Sequence, residues 1–365
     1  MIALALLGAL TLGPGGVAKG DACLPATPQP GPGVADPFRA PAEEATRLNA
    51  DAKVLYRRGK WEEARAQYRA AEAADPDFLA PRLNVACSFV RQERFDEAVA
   101  EVKGLLERAF IPWSREILEA ADLGALKVHP QMAEVNRALA AGAAAWGAGL
   151  DESVIFVGRL RAPLRIPADG AGEFILNPHQ EVFAFTPATG RFRQLTAEDG
   201  HVVAVAVSPD RRLIAYVTAE KLVRGPKADA VTLDGVALGE IALPTLRSIP
   251  LVRIPGAVRR IEISGARTFM FQIDGERLNG LYVLDDARRE LTLLGRKVQL
   301  TRGAVVVSAS GAAPATATVP GACPIVARDT KAAAGRRAIQ LSLHGRPART
   351  IGGEQGAGLA GLPLP

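Results

Sequence analysis

The stretch Gly59-Lys-Trp-Glu-Glu-Ala64 has a counterpart further along the chain, Glu93-Arg-Phe-Asp-Glu-Ala98. In both, an aromatic residue is followed by two polar residues and an alanine. Small alanines let paired helices approach closely, and the aromatic residue anchors the second helix at the turn. Asp75-Pro76 ends the first copy, because proline cannot continue a helix. The repeat therefore predicts consecutive helical hairpins from Ala45 to about Leu105.

These residues resemble the tetratricopeptide (TPR) family, whose repeat is a helical hairpin of about 34 residues. The first copy fits the family pattern at Ala52, Ala64, Tyr68, Ala71 and Pro76. The second copy departs from it, with Glu93 for a turn glycine, Val102 for an aromatic residue and Phe110 for the terminal proline. Residues 112–140 look like the closing segment of such an array. The resemblance implies a TPR-like helical domain over residues 42–148.

The resemblance also implies a binding face, because the first helix of each hairpin lines the concave side of such an array. By register this face carries Asn49, Lys53, Tyr56 and Arg57 from the first copy, and Cys87 and Arg91 from the second. A basic face with one aromatic residue suits a peptide that carries a carboxylate. The alternative is that two repeats make too little groove and that these residues are simply solvated.

After Glu152 the hydrophobic period changes from helical to alternating, which indicates strands. Short apolar runs are separated by Gly, Pro and Asp turns and predict an all-β domain over residues 151–344. The predicted strands are Val154–Val157, Glu181–Phe185, His201–Val207, Leu213–Val217, Phe269–Ile273 and Leu281–Leu284.

Two of these runs repeat in kind, Ser208-Pro-Asp-Arg-Arg-Leu-Ile-Ala-Tyr-Val217 and Ser264-Gly-Ala-Arg-Thr-Phe-Met-Phe-Gln-Ile273. They resemble the repeat of TolB-like and WD40-like propellers, in which a turn of Ser-Pro-Asp-Gly type joins two strands; Arg211 here replaces the glycine. The resemblance implies a small or partial β-propeller. Alternating strands with polar turns also specify a β-sandwich, which remains the alternative. The predicted fold class is α+β and multidomain.

The ends of the chain predict export and a flexible tail. The apolar run Met1–Leu12 and the following Gly13-Pro14-Gly15-Gly16 are typical of a signal peptide over residues 1–22. A Pro/Gly-rich linker, residues 23–41, follows as a solvated spacer. Cys23 is a candidate for lipidation, so the expected location is the periplasm or the medium, or the envelope through Cys23. Residues 345–365 predict a disordered tail, and no apolar run is long enough for a transmembrane span.

Charge and motifs favour a protein without enzymatic activity. The net charge is +5, and residues 151–365 carry 27 Lys and Arg against 20 Asp and Glu. These cations are scattered without interleaved aromatics, so no nucleic acid partner is expected. The four histidines lack metal-ligand spacing, and the chain has no Walker or Gly-x-Ser-x-Gly motif. No metal or cofactor is expected, and the enzyme hypothesis depends on whether His201, Asp210 and Asp274 converge.

Three functions follow as hypotheses. The first is an exported scaffold whose helical groove binds a peptide or partner protein and whose β-domain docks a second partner. The second is a glycan-binding module or hydrolase with its site in the propeller funnel. The third is an envelope-anchored structural or secretion-accessory lipoprotein.

Overall fold

The computed structural model describes residues 30–150, 153–295 and 325–351, apart from short breaks between strands. These described residues form helices followed by antiparallel sheets, which agrees with an α+β class. The predicted signal peptide, Cys23 and the end of the predicted tail lie outside them. The helices are α1 Glu43–Arg57, α2 Trp61–Ala74, α3 Ala80–Val90, α4 Phe95–Glu119, α5 Gly124–Lys127 and α6 Met132–Gly147, with a 3-10 turn at Ala121–Leu123.

The repeat of the sequence returns in the turns between helices. Gly59 and Glu93, which occupy the same position in the two copies, have φ angles of 76° and 57°. The residue after each donates its backbone N–H across the turn, Lys60 to the Leu55 carbonyl and Arg94 to the Phe89 carbonyl, both at 3.0 Å. A positive φ favours glycine, so Glu93 adopts the same turn as Gly59 although a positive φ is unfavourable for glutamate.

Packing between the helices depends on the small residues that the repeat predicts. Ala52 and Ala64 in the first hairpin, and Ala86 and Ala98 in the second, are fully buried. The helices pack in chain order, α1 on α2, α2 on α3 and α3 on α4, and α6 then covers α4. Residues one repeat apart therefore occupy equivalent places in two adjacent hairpins.

Helix α4 is kinked at the point where the repeat would end, and two helical stretches meet there. Ala109 has non-helical angles (φ −156°, ψ 72°), and Pro112 follows it inside the helix. A kink there has an identifiable cause, because proline removes a backbone hydrogen bond and clashes with the preceding turn. Phe110 is buried under α6 at Gly142, where a Cβ atom would lie 2.2 Å from the Phe110 ring.

The strands form consecutive antiparallel sheets. Their orders are β1-β4-β5, β2-β3, β6-β7-β8-β9, β10-β11-β12-β13 and β14-β15-β16. The bounds are β1 Val154–Leu160, β2 Leu164–Ala168, β3 Gly172–Leu176, β4 His179–Thr186, β5 Arg191–Gln194, β6 His201–Val207, β7 Leu213–Arg224, β8 Val231–Ala242, β9 Arg247–Ile254, β10 Ala257–Ser264, β11 Thr268–Asp274, β12 Gly280–Asp285, β13 Glu290–Gly295, β14 Ile325–Lys331, β15 Arg337–Leu343 and β16 Arg346–Ile351.

All six predicted strands fall within observed strands, namely β1, β4, β6, β7, β11 and β12. Strand β16 lies in the range that composition predicts as a disordered tail. It pairs antiparallel with β15, with Ile351 opposite Ile339. Backbone pairing with a neighbouring strand orders this segment although it contains Pro347.

Residues 33–42, here called the strap, differ from the solvated spacer that the prolines predict. Val34 exchanges two backbone hydrogen bonds with Phe192 on β5, at 2.9 and 2.8 Å. Phe38 is 5% exposed and packs against Phe156, Phe183 and Phe192, with ring centroids 4.9 to 5.9 Å apart. Pairing of Val34 and burial of Phe38 fix a segment whose prolines disfavour regular structure.

A buried arginine joins the end of α6 to the first sheet. Arg193 on β5 is 4% exposed, and its guanidinium donates to the Trp146 and Ala148 carbonyls, both at 2.6 Å, and to Thr186 Oγ1 at 3.1 Å. The indole of Trp146 donates in return to the Gln194 carbonyl at 2.8 Å. One apolar core extends from the helices into the first sheets, so helices and sheets share a packed interface.

Candidate functional site: a basic helical face and an acidic cleft

The predicted binding residues lie on α1 and at the end of α3. Lys53, Arg57 and Arg91 are exposed, and Tyr56 is half-buried between them. Lys53 and Tyr56 are three positions apart on one helix and so share a side of it. We call these four residues the basic face.

The two hairpins meet at the centre of the basic face. Arg91 Nε donates to the Tyr56 hydroxyl at 3.0 Å, and the same guanidinium donates to Asp122 Oδ1 at 2.6 Å. Asp122 belongs to the 3-10 turn that follows α4. Tyr56, Arg91 and Asp122 therefore connect α1, the end of α3 and the 3-10 turn that follows α4.

These contacts shift the ionisation of the groups involved. Hydrogen bonds to Tyr56 and then to Asp122 raise the pKa of Arg91 above its usual value. Burial raises the pKa of Tyr56, and the hydrogen bond from Arg91 opposes that shift. Arg91 thus stays charged at any physiological pH, while Tyr56 stays protonated and keeps an aromatic surface beside it.

Two residues that the sequence predicts on this face are buried instead. Asn49 is 6% exposed, and its side-chain oxygen accepts a hydrogen bond from Asn84 at 2.9 Å. Cys87 is 5% exposed, and burial raises its pKa to about 12. The prediction was wrong for both, because helical register alone does not separate a groove position from an interhelical one.

In the β region the Ser-Pro-Asp turn has the geometry of an Asx-stabilised turn. Asp210 accepts hydrogen bonds from Ser208 Oγ at 2.6 Å and from the Arg212 backbone at 3.1 Å. Arg211, in place of the turn glycine, has a φ of 56°. These hydrogen bonds lower the pKa of Asp210, the Ser208 contact most strongly. Asp210 therefore serves the backbone of this turn.

The backbone separates the residues whose convergence would favour an enzyme. His201 begins strand β6, and Asp210 lies in the turn beyond its end. At about 3.3 Å per residue, this strand alone puts roughly 20 Å between them. Asp274, at the end of β11, pairs with Ala257 of β10. His201 and Asp210 thus do not meet at one site.

Neither a metal centre nor a membrane-spanning helix is found among the described residues. Within them, no group of three or more His, Cys, Asp and Glu side chains is arranged to hold a metal ion. Over the same residues, no helix combines the length and apolar character needed to cross a bilayer.

A second candidate site, here called the acidic cleft, lies between the strap, the kinked helix α4 and the first sheet. Its volume is about 440 Å³. Both charged and aromatic side chains line it. The lining includes Asp36, Arg39, Asp75, Asp77, Phe78, Arg108, Trp113, Glu116, Trp146, Phe183, Phe192 and Gln194.

Ion pairs between the strap and the helices form one wall of the acidic cleft. Arg39 donates to both carboxylate oxygens of Asp75, and Arg108 contacts Asp77 Oδ1 at 3.3 Å. Burial alone would raise the pKa of Asp75. Hydrogen bonds from Arg39 and from the Ala42 backbone outweigh burial and lower it.

The sequence does not predict the acidic cleft, because its walls come from several segments far apart in the chain. A weak signal was present in the strap. Val34 and Phe38 are apolar residues inside a proline-rich stretch, which a fully solvated spacer has no need to carry.

No family model matches the chain, and no curated protein is similar to it. Solved structures with a distant likeness include "Oligogalacturonate lyase in complex with manganese". It is 13% identical, the match covers 44% of this chain and 40% of that chain, and the TM-score is 0.26. TolB from Acinetobacter baumannii is 17% identical, with a match that covers 59% of this chain and 47% of that chain and a TM-score of 0.27. The β-propeller domain of the Trilobed protease from Pyrococcus furiosus is 11% identical, with a match that covers 54% of this chain and 58% of that chain and a TM-score of 0.22.

The chain thus spans about half the length of these solved proteins. All three TM-scores are far below those of proteins that share a complete fold, and all three identities are low. These likenesses therefore assign neither an activity nor a partner to this chain.

Proposed function

We propose that this chain is a non-enzymatic interaction protein of the bacterial envelope. A tetratricopeptide-type array binds an acidic peptide segment of a partner protein through the basic face. A propeller-like β region docks a second protein partner. The observation that carries the proposal is the set of exposed cations beside Tyr56 on one side of two adjacent hairpins.

The array part of the proposal is supported by the turns. Gly59 and Glu93 hold the same positive-φ turn, one repeat apart. The buried alanines at the same spacing let the hairpins stack closely. Stacked hairpins leave the side of their first helices available to a ligand, and the basic face lies on that side.

The β-region part is supported by the order of the strands. Strands β6 to β9 and β10 to β13 each form a four-stranded antiparallel sheet in chain order. A further apolar core lies between these two sheets, with Ala215, Phe269 and Leu284 among its residues. Sheets that repeat in chain order and pack face to face are the arrangement of propeller blades.

The chemistry of the partner follows from charge. The basic face presents Lys53, Arg57 and Arg91 against one carboxylate, Asp122. Arg91 is already oriented by Tyr56 and Asp122, so a ligand carboxylate meets a guanidinium with little freedom left to lose. An acidic segment, or a free C-terminal carboxylate next to an apolar side chain, matches Arg and Lys beside a tyrosine ring.

The first test is binding of a labelled acidic peptide, Ala-Leu-Glu-Asp-Leu with a free carboxylate, by fluorescence anisotropy. The double variant Lys53→Gln/Arg57→Gln should weaken binding about 10-fold, because two charge contacts each contribute up to about 1 kcal/mol. Binding should also weaken as salt rises from about 50 to about 300 mM.

The matched control is Lys103→Gln/Arg115→Gln, which removes the same charge from exposed positions on α4. This variant should bind the peptide like the wild type. Equal weakening in both double variants would show that net charge, and not the basic face, attracts the peptide. An unchanged affinity in the Lys53/Arg57 variant would reject the proposal.

Location is a separate part of the proposal and rests on the apolar run at residues 1–12 and on Cys23. The mass of the protein from its own host tests it. A chain that begins near residue 21 in the envelope fraction supports export, and acyl chains on Cys23 support anchoring. An intact Met1 in the cytosol would reject export.

A further inference from the structure

The acidic cleft has the size and composition of a ligand site. Its volume of about 440 Å³ falls within the range of roughly 300 to 1,000 Å³ that is usual for ligand pockets. Phe78, Trp113 and Trp146 give it aromatic walls, and Pro37 and Pro112 also line it. Apolar and aromatic walls with a few polar groups are what such sites present to a ligand.

Two polar groups in the cleft are not engaged by the rest of the described protein. The indole N–H of Trp113 has no acceptor among the described residues, and the carboxylate of Glu116 has no donor or cation within reach there. Both residues follow the kink at Ala109 and are three positions apart on α4, so they share one side of the helix. By contrast, the indole of Trp146 is already bonded to the Gln194 carbonyl.

The charges of the cleft are unbalanced in favour of carboxylates. Four acidic residues and two arginines line it. Arg39 is paired with Asp75 and Arg108 with Asp77, and Asp36 accepts the Phe38 backbone N–H at 2.9 Å. Asp36 and Glu116 are the carboxylates of this lining without an ion-pair partner among the described residues, and the exposed Glu116 shares a side of α4 with Trp113.

We infer that the acidic cleft binds an extended, proline-containing peptide segment that carries a basic residue. A polyproline II segment has no internal hydrogen bonds, so its carbonyls are open to a donor such as the Trp113 indole. Aromatic walls pack against proline rings, and the stiff segment loses little entropy on binding. The basic residue pairs with Glu116. This site is separate from the basic face and selects the opposite charge.

The test is fluorescence anisotropy with fluorescein-labelled Pro-Pro-Leu-Pro-Pro-Arg and the full chain. We expect saturable binding with a Kd below about 1 mM. The peptide Pro-Pro-Leu-Pro-Pro-Glu should bind about 5-fold more weakly. Trp113→Phe keeps a ring and removes the N–H, and should weaken binding about 3- to 10-fold. Glu116→Gln should weaken binding of the Arg peptide about 2- to 5-fold and reduce the preference for Arg over Glu.

The matched control is Glu119→Gln, which removes an exposed carboxylate from the same helix outside the cleft. Its affinity for the Arg peptide should equal that of the wild type. Thermal melting by circular dichroism checks that each variant is folded; if Trp113→Phe is not, Glu116→Gln and the peptide pair still decide. No saturation up to about 1 mM, equal binding of the Arg and Glu peptides, or equal affinity in Glu116→Gln and wild type would each overturn the inference.

Discussion

Replacing Arg193 with methionine should loosen the joint between helices and sheets. The guanidinium is buried, and it donates to the Trp146 and Ala148 carbonyls at the end of α6. Carbonyls in the last turn of a helix have no partner within the helix. Arg193 supplies those partners from β5, and methionine of similar length cannot.

The size of the effect follows from two opposing contributions. Each carbonyl that loses its donor costs about 2 kcal/mol, and the lost bond to Thr186 Oγ1 adds about 1 kcal/mol. Against this, burial lowers the pKa of Arg193 to about 10, and this shift corresponds to about 3 kcal/mol of desolvation that methionine relieves. The expected net loss in the free energy of unfolding is therefore about 2 kcal/mol.

Urea unfolding followed by circular dichroism in the far ultraviolet measures this loss as a lower midpoint. Arg193→Lys keeps the charge but cannot span both carbonyls and the hydroxyl, so it should recover less than half of the loss. Arg47→Met, on an exposed arginine paired with Asp51, should change stability by less than about 0.5 kcal/mol. A wild-type midpoint for Arg193→Met, or full recovery by lysine, would refute this account of the joint.

Two further predictions concern the strap. Phe38→Ala should lower the free energy of unfolding by about 3 kcal/mol, because it empties a site between three phenylalanine rings; urea unfolding measures this, and a loss no larger than that of the exposed Leu118→Ala would contradict it. The pKa of Asp75 is lowered in the folded state, so its stabilising effect is present above the unfolded pKa of about 4 and is lost as pH falls through the folded value. Asp75→Asn should therefore show a smaller drop in unfolding free energy between pH 7 and pH 3 than the wild type, and an equal drop would reject the role of this carboxylate.

The helices could be predicted from the sequence because their aromatic and small residues recur at a fixed spacing. The repeat from Trp61 to Phe95 predicts two hairpins, and α1 to α4 follow them. The sequence suggests a break near Pro112, and the structure has non-helical angles at Ala109, where two helical stretches meet. A proline inside a helical pattern either ends or bends the helix, and a sequence pattern alone does not fix the residue at which this happens.

The β region was predicted where apolar and polar residues alternate, as in β6 and β7. Strands such as β9, in which Pro250 interrupts an apolar run from Ile249 to Val252, lack that alternation and were missed. The pairing of a strand with its neighbours stabilises it, and a single sequence does not show which segments are neighbours.

Of the residues that the repeat register assigns to the binding face, Lys53, Arg57 and Arg91 are exposed. Asn49 was misplaced because it faces Asn84 across the hairpins. The acidic cleft could not be predicted from the sequence. Its charged groups come from the strap, from the loop after α2 and from α4. The pairing of Val34 with Phe192 joins the strap, which precedes α1, to strand β5 of the first sheet.

That pairing sets an order of events during synthesis. Val34 leaves the ribosome long before its partner Phe192, and at about 5 to 20 residues per second the delay is roughly 8 to 30 s. The helical hairpins, whose contacts are local, can fold within that time, whereas Phe38 stays exposed until β4 and β5 exist. An N-terminal segment that is made first therefore becomes one of the last parts of the first sheet to be placed, and its exposed phenylalanine is a natural contact for a chaperone in the interval.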